Sequence, residues 1–304
     1  MPSVRARFPT LAVLSLATLA CAACSEVAPD TPAASAPEAA GGDVVLGQVS
    51  LSFYAVTSEV VRAYLEGRGY SVQTEEGSHS SIYPRLGRGE VDLLAASWLP
   101  NGHAALFAEV EDDVIKLTPF YDDARFFWVV PDYLPNDIQE IGDLARLDVA
   151  DSMPRTIRTL GPDTGLTAGA ETAMNLYGLR DAGYTLEPGS AAEWSDTLAA
   201  AMRDEAWVAL PLWQPHWLNA RYDLRRLDDP QGAYGQSDTA WLLAHSSIAD
   251  TLDSRTLEGL RRMRLGVQDV TEMDHLVDVE GLFPREAAAR WMDQHPDRVR
   301  LWNR

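Results

Sequence analysis

Lysine is almost missing from this sequence. It contains 25 Lys+Arg, and Lys116 is the only lysine among them. No Gly-x-x-x-x-Gly-Lys-Ser/Thr phosphate loop is therefore available, because Lys116 sits in Val-Ile-Lys-Leu with no glycine beside it. A lysine Schiff base would have that one residue to use. Cysteine is equally scarce, with only Cys21 and Cys24. The six histidines (79, 103, 216, 245, 275 and 295) form neither HxxxH nor HxH, so no compact zinc site is indicated, and no Gly-x-Ser-x-Gly elbow occurs. Positive charge is short overall, with 45 Asp+Glu against 25 Lys+Arg and a net charge of −20. A surface of that sign does not neutralise phosphates, which excludes a general nucleic-acid binder, and it does not adhere electrostatically to anionic lipid. What remains is a chain of 304 residues, 46% hydrophobic, long enough to bury one or two sizeable cores.

Residues 1–23 read as a secretory leader: Arg5 and Arg7 form a positive n-region, and Leu11 to Ala23 an apolar run too short for a membrane span of roughly 20 residues. Cys21-Ala-Ala-Cys24 also fits a CxxC redox motif. Its place in the cleavage zone favours the other reading, one that resembles a bacterial lipoprotein leader, with Cys24 as the acylated first residue. Lipidation there leaves no free thiol in the mature chain, as suits an oxidising compartment. Residues 24–43 are rich in Ala, Pro and Ser and lack large apolar side chains, so they read as a flexible tether. The expected product is a soluble domain held at a membrane by a lipid.

From Val44 the pattern alternates between strands and helices. Val44–Tyr54 reads as a strand, after which Thr57 or Ser58 caps a helix through Leu65. Tyr70–Glu75, Val91–Ala96, Val114–Leu117, Arg125–Pro131, Trp207–Leu212 and Trp241–Ala244 read as strands. Ile82–Leu86, Ala104–Val110, Ile138–Leu147, Thr167–Tyr177, Ser190–Arg203, Leu252–Leu265 and Pro284–His295 read as helices. The expectation is an α/β fold with mostly parallel sheets. Two lobes are expected: residues 44–140 and 236–304 in the first, 141–235 in the second, with a ligand cleft between them.

Enzymatic chemistry finds no support. Asp122-Asp123, Glu111-Asp112-Asp113 and Asp228-Asp229 are adjacent acidic residues of the kind found in solvated turns. Glycosidase chemistry needs two carboxyls roughly 5–9 Å apart across a cleft. Tryptophan says more. Of nine, Trp98 and Trp213 each end an apolar strand and precede a proline by two residues, in Trp98-Leu-Pro-Asn-Gly-His103 and Trp213-Gln-Pro-His-Trp217. Two indoles from different lobes facing across a cleft would form the walls of an aromatic cage for a quaternary ammonium group, each contact worth roughly 0.5–2 kcal/mol. Taken alone, the pattern fits better two core tryptophans at strand ends.

The sequence Trp98-Leu-Pro-Asn-Gly-His103, Phe126-Phe-Trp-Val-Val-Pro131, Gly161-Pro-Asp-Thr-Gly165, Trp213-Gln-Pro-His-Trp217, Ala220-Arg-Tyr-Asp-Leu, Asp229-Pro230 and Tyr234-Gly235, in that order, resembles the substrate-binding proteins of glycine betaine/proline betaine/choline ABC importers. The resemblance runs over about residues 46–300. It implies the two-lobed periplasmic-binding-protein fold of type II, with no cofactor, no metal and no reaction. The implied partners are a quaternary ammonium compound and an ABC permease with a separate ATPase subunit. It further implies Trp98 and Trp213 as cage walls, Tyr121 as an aromatic residue near them and His103 as a contact to a ligand carboxylate. His216 orients the loop under Trp213 or touches ligand. Backbone N–H groups at Ala55–Ser58, with Thr57, and at Gly161–Gly165 offer seats for a carboxylate. Family members carry a further tryptophan around Val56 or near Leu265-Gly266. This chain has no aromatic residue at either place, and Tyr54 could compensate for only one, so the cage is expected to comprise two tryptophans and one or two tyrosines, from Tyr54 and Tyr121. Asp122 and Asp123 beside Tyr121 leave open a cation without a carboxylate, such as choline. A receptor or sensor of the same fold for another zwitterion or amine, uncoupled from transport, stays open as well.

Overall fold

The structure is a computed structural model that describes residues 41–304; the leader, most of the tether and Cys24 lie outside the described residues. In chain order it runs β1 (Asp43–Val49), α1 (Ser52–Glu66), β2 (Ser71–Gly77), α2 (His79–Gly87), β3 (Leu93–Leu99), α3 (Ala104–Ala108), β4 (Val114–Pro131), a 3-10 turn (Ile141–Ala145), α4 (Leu147–Ser152), β5 (Thr156–Thr159), α5 (Gly165–Leu176), β6 (Thr185–Pro188), α6 (Ala191–Asp204), β7 (Leu210–Gln214), α7 (Leu218–Arg221), β8 (Leu224–Leu227), β9 (Asp238–His245), α8 (Ile248–Thr251), α9 (Ser254–Arg262), α10 (Val267–Asp278), α11 (Pro284–Gln294) and α12 (Pro296–Trp302). Among the described residues, no helix is long and apolar enough to cross a membrane.

The main sheet has the order β2-β1-β3-β9-β4-β7, with β8 also pairing β4, and β5-β6 form a second, two-stranded sheet. β1 pairs β2 and β3 in parallel, as expected of strands joined by crossover helices. The remaining ladders of the main sheet, β3–β9, β4–β9, β4–β7 and β4–β8, are antiparallel. The expectation of mostly parallel sheets fails there, because β4 is a single long strand answered by returning strands on both sides. Val114–Leu117 and Arg125–Pro131 are its two ends. The intervening Thr-Pro-Phe-Tyr-Asp-Asp-Ala reads as a break, yet it stays in the sheet through register shifts around Pro119 and Tyr121, with Asp123 at φ 67°. Up to Ala124, β4 pairs β9; from Arg125 onward it pairs β7 and β8.

The first helix is the other large difference. The strand expected over Val44–Tyr54 stops at Val49, and α1 begins at Ser52 with Leu51 as its N-cap. Alternation over Val49–Phe53 fits strand and helix alike. The longer spacing of Phe53, Val56, Thr57, Val60, Val61, Tyr64 and Leu65, all buried, is that of one helix face. Thr57 and Ser58 are therefore inside the helix rather than at its cap, and Val56 lies in its second turn. The helix expected over Ile138–Leu147 is a 3-10 turn followed by the short α4.

Two hydrophobic cores result. The larger surrounds α1, which lies against α10 and α11 and over β1 and β3, and it continues through Trp98, Phe53 and Trp213 to Trp194. The second is drawn from residues between Trp128 and Leu227, among them Ile141, Met174 and Tyr184.

Candidate ligand-binding cleft

Every residue of β3, Leu-Leu-Ala-Ala-Ser-Trp-Leu, is buried, so the strand delivers Trp98 to the sheet's end in a fixed position. The turn beyond it closes on itself. The Trp98 N–H donates to His103 Nδ1 at 2.8 Å, and the His103 N–H donates back to the Trp98 carbonyl at 2.9 Å. The indole Nε1–H donates to the Tyr121 hydroxyl at 3.0 Å. Behind the turn, buried Asp238 accepts the N–H of Asn101 at 2.7 Å and that of Gly102 at 2.9 Å. Asp238 had no role in the sequence reading; its position just after Tyr234-Gly235 is the only local signal.

Because His103 Nδ1 accepts, the proton of the neutral ring resides on Nε2. Nε2 lies 3.5 Å from the Tyr54 hydroxyl, which is also 3.4 Å from His79 Nε2. The two imidazole centroids are 4.4 Å apart. Burial pushes the His79 pKa down to about 4, only partly opposed by Asp163. Burial, followed by the neighbouring His79, holds His103 well below the usual histidine range. Both rings are neutral at pH 7, and the His103 Nε2–H faces the Tyr54 hydroxyl at the cavity's edge without a charge.

Trp213 comes from the end of β7, where it pairs with Phe126 of β4. Its ring stands edge-on to His216 at 4.4 Å and tilts against Trp194 at 4.9 Å. Its Nε1–H is buried with no hydrogen-bond partner among the described residues. Phe53, in the first turn of α1, bridges the two tryptophans with centroids 5.8 Å from Trp98 and 6.0 Å from Trp213. Phe126 lies 5.0 Å from Trp98.

A small cavity lies among these rings. Tyr54, Trp98, His103 and Trp213, all singled out from sequence, line it together with Phe53, Phe126 and His79, which sequence reasoning missed. The rest of its lining comes from two helix starts, Leu51 before α1 and Thr164-Gly165-Leu166 at α5, plus Leu160. No Asp, Glu, Lys or Arg side chain lines it. The first turn of a helix carries N–H groups with no intrahelical acceptor and a partial positive charge, so two helix starts converge on this cavity. Outward, the cleft widens to ≈ 560 Å³ on the side of Asn101, Asp163 and Tyr234, and to ≈ 320 Å³ on the side of Ser52, Trp194 and Trp217.

Three sequence-derived residues are elsewhere. Tyr121 stands behind Trp98 as its hydrogen-bond acceptor and is absent from the cavity lining. Thr57 is fully buried in α1 and donates to the Tyr54 carbonyl at 2.8 Å. His216 faces the outer opening, where its Nδ1 accepts the Leu218 N–H at 3.1 Å and burial lowers its pKa to about 3. At the carboxylate seat expected over Ala55–Ser58, the Ala55 N–H is already bonded to the Leu51 carbonyl at 2.9 Å, the Tyr54 N–H donates to the same carbonyl at 3.1 Å, and the Leu51 N–H donates to Val49 at 2.8 Å, so the N–H groups without such a bond at this helix start are those of Ser52 and Phe53. Asp122 and Asp123 lie at the crossing point of β4. Asp122 accepts from the Thr239 hydroxyl, and Asp123 pairs with Arg125 and accepts from Gln214. Neither lines the cavity.

Residues 42–294 match the OpuAC family, described as the substrate binding domain of ABC-type glycine betaine transport system. The glycine betaine/carnitine transport binding protein GbuC of Listeria monocytogenes is 28% identical over 158 residues, which is 52% of each protein, so the chain spans about half the length of the curated relative it matches. Lactococcal OpuAC, solved closed with glycine betaine, superposes with a TM-score of 0.78 at 24% identity, over 86% of this chain and 100% of that one. The choline binding protein of an ABC transporter, solved with choline, gives 0.73 at 19% identity, over 86% and 91%. The two-lobed substrate-binding-protein fold is thereby shown. The chain belongs to the family of substrate-binding domains of ABC-type glycine betaine transport systems, whose members are solute-binding receptors and not enzymes.

Proposed function

We propose that the chain is an extracytoplasmic receptor that binds a zwitterionic quaternary ammonium compound, of the glycine betaine or proline betaine kind, between its two lobes and delivers it to an ABC permease with a separate ATPase. The methylated cation packs on Trp98, Trp213 and Phe53, with Tyr54 and Phe126 beside them. The carboxylate takes the His103 Nε2–H and the first N–H groups of α1 and α5. The observation that carries this reading is the cavity lining, aromatic on its walls, positive at two helix starts, and free of acidic side chains. A bare cation would gain the π-faces alone, whereas a zwitterion uses both halves of the site.

The lobes divide within β4 near Asp123, where the strand changes partners, so that residues up to about 122 and from 238 onward form the first lobe. The leader pattern and Cys24 support export and a lipid anchor. Isothermal titration tests the ligand. Glycine betaine and proline betaine are expected to bind, and choline at least ~10-fold more weakly. Choline as the tightest ligand would overturn the carboxylate seat, and no binding by betaines, choline or carnitine would overturn the ligand class.

A further inference from the structure

We propose that Gly102 and Gly165 form a stop of bare backbone that fixes how far the two lobes close, and so sets the headgroup size the aromatic cavity accepts. This deepens the function proposed above and rests on it only for the choice of ligand. Gly102 lies in the turn after Trp98 in the first lobe, and Gly165 is the first residue of α5 in the second. Neither has a positive φ, so the backbone conformation does not call for glycine at either place. Space does. A Cβ on Gly165 would stand 2.5 Å from the Gly102 carbonyl oxygen and 3.1 Å from its Cα. The obstacle is main chain, so no rotamer change relieves it.

Neither side is free to yield. Gly102 is held from behind by Asp238, which accepts its N–H and that of Asn101 and itself begins β9, inside the sheet. The start of α5 is fixed by the Thr164 side chain, which accepts the Thr167 N–H at 3.3 Å, and by the Thr167 hydroxyl, which donates to the Leu160 carbonyl at 2.8 Å. Phe126 Cε2 lies 3.2 Å and 3.1 Å from the Cβ positions of the two glycines, and the same ring packs on Trp98. Spacing at the glycine pair is thus passed to the cage wall. Another contact across this rim, the Ser80 hydroxyl donating to Asp163 at 2.6 Å, joins two side chains able to adjust and sets no fixed limit. A lobe held back by 0.5–1 Å forfeits about a quarter to a half of each van der Waals well between ring and methyl, which falls hardest on the smallest headgroup.

Closure can be read without ligand. In the full chain with Cys21→Ser and Cys24→Ser, Ser80→Cys and Asp163→Cys place one thiol on each lobe, and bridging by dibromobimane reports how often the rim closes. Gly165→Ala is expected to slow bridging at least ~10-fold with the melting temperature kept. Gly102→Ala, whose Cβ meets nothing nearer than 3.2 Å, is expected to slow it less. In titrations on the otherwise native chain, Gly165→Ala is expected to weaken glycine betaine at least ~10-fold and bulkier proline betaine by a smaller factor. Unchanged bridging in Gly165→Ala overturns the stop, as does equal weakening of both betaines. Should Gly165→Ala fail to fold, unchanged bridging in Gly102→Ala overturns it. A wild-type chain that binds no betaine while Gly165→Ala still slows bridging counts against the ligand class and for the stop.

Discussion

The two tryptophan walls of the cleft are built differently. Trp98 is tied at every polar atom nearby: its indole to Tyr121, its N–H and carbonyl to His103, its turn to Asp238. Trp213 is held by ring packing against Trp194 and His216, and its indole N–H has no partner among the described residues. One wall is organised before any ligand arrives. The other is held by packing alone and leaves its indole N–H without a partner among the described residues.

The largest expected effects come from removing either wall. Trp98→Ala and Trp213→Ala should each weaken betaine binding at least ~100-fold by titration. Truncating a buried tryptophan costs about 3–5 kcal/mol of stability. Trp98→Ala should lie at the upper end, because it also strands the Tyr121 hydroxyl and loosens the turn, and Trp213→Ala at the lower. Denaturant unfolding measures both. Equal stability losses would erase the distinction between a bonded and a packed wall.

The walls also differ in how they answer pH. Beside Trp213, the Trp217 N–H donates at 2.8 Å to Asp274 of α10, which is fully buried. Burial, with Asp278 alongside, raises the Asp274 carboxyl to about 7 against an ordinary 3.8, while Ser52 and Trp217 pull the other way. A carboxyl whose folded pKa is raised binds more protons folded than unfolded, so stability falls as pH rises from about 4 to 7, by up to about 4 kcal/mol. On the Trp98 side, His79 is depressed to about 4. The unfolded chain takes up that proton first, so stability falls as pH drops from about 6.5 to 4. Asp274→Asn should therefore gain stability over the wild type progressively between about pH 4 and pH 7 in denaturant unfolding. A constant difference at all pH values would show that Asp274 does not titrate in that range.

Sequence reached the walls and missed what lies between them. Trp98 and Trp213 were legible because each ends an apolar strand before a proline, a local signal. Phe53 was hidden because five alternating residues fit a strand as well as the first turn of a helix, and the deciding helix face runs on to Leu65. Phe126 and His79 reach the cavity through β4's change of partners and the packing of α2, which are long-range facts that no spacing encodes. The antiparallel half of the sheet was missed for the same reason, since β4's central proline and acidic pair carry the local signature of a break. Thr57 failed with the misplaced start of α1. No indole stands at Val56, and Phe53, three residues earlier, supplies an aromatic face next to both tryptophans.

The smallest expected effect separates touching ligand from holding the wall. Tyr121→Phe keeps the ring and deletes the hydroxyl that accepts from Trp98 Nε1. A buried donor left without its acceptor costs about 1–3 kcal/mol, and the lower figure applies where a ring can shift slightly. Stability should fall by about 1 kcal/mol in denaturant unfolding, and betaine affinity by only ~3-fold in titration, because the indole stays between β3 and Phe53 with slightly more freedom. Trp213 has no corresponding bond, so its wall offers no counterpart of this variant. If Tyr121→Phe instead weakened binding as far as Trp98→Ala does, the phenol would be a direct ligand contact, the role the family resemblance implies, and the bonded wall would have to be redrawn with Tyr121 on its inner face.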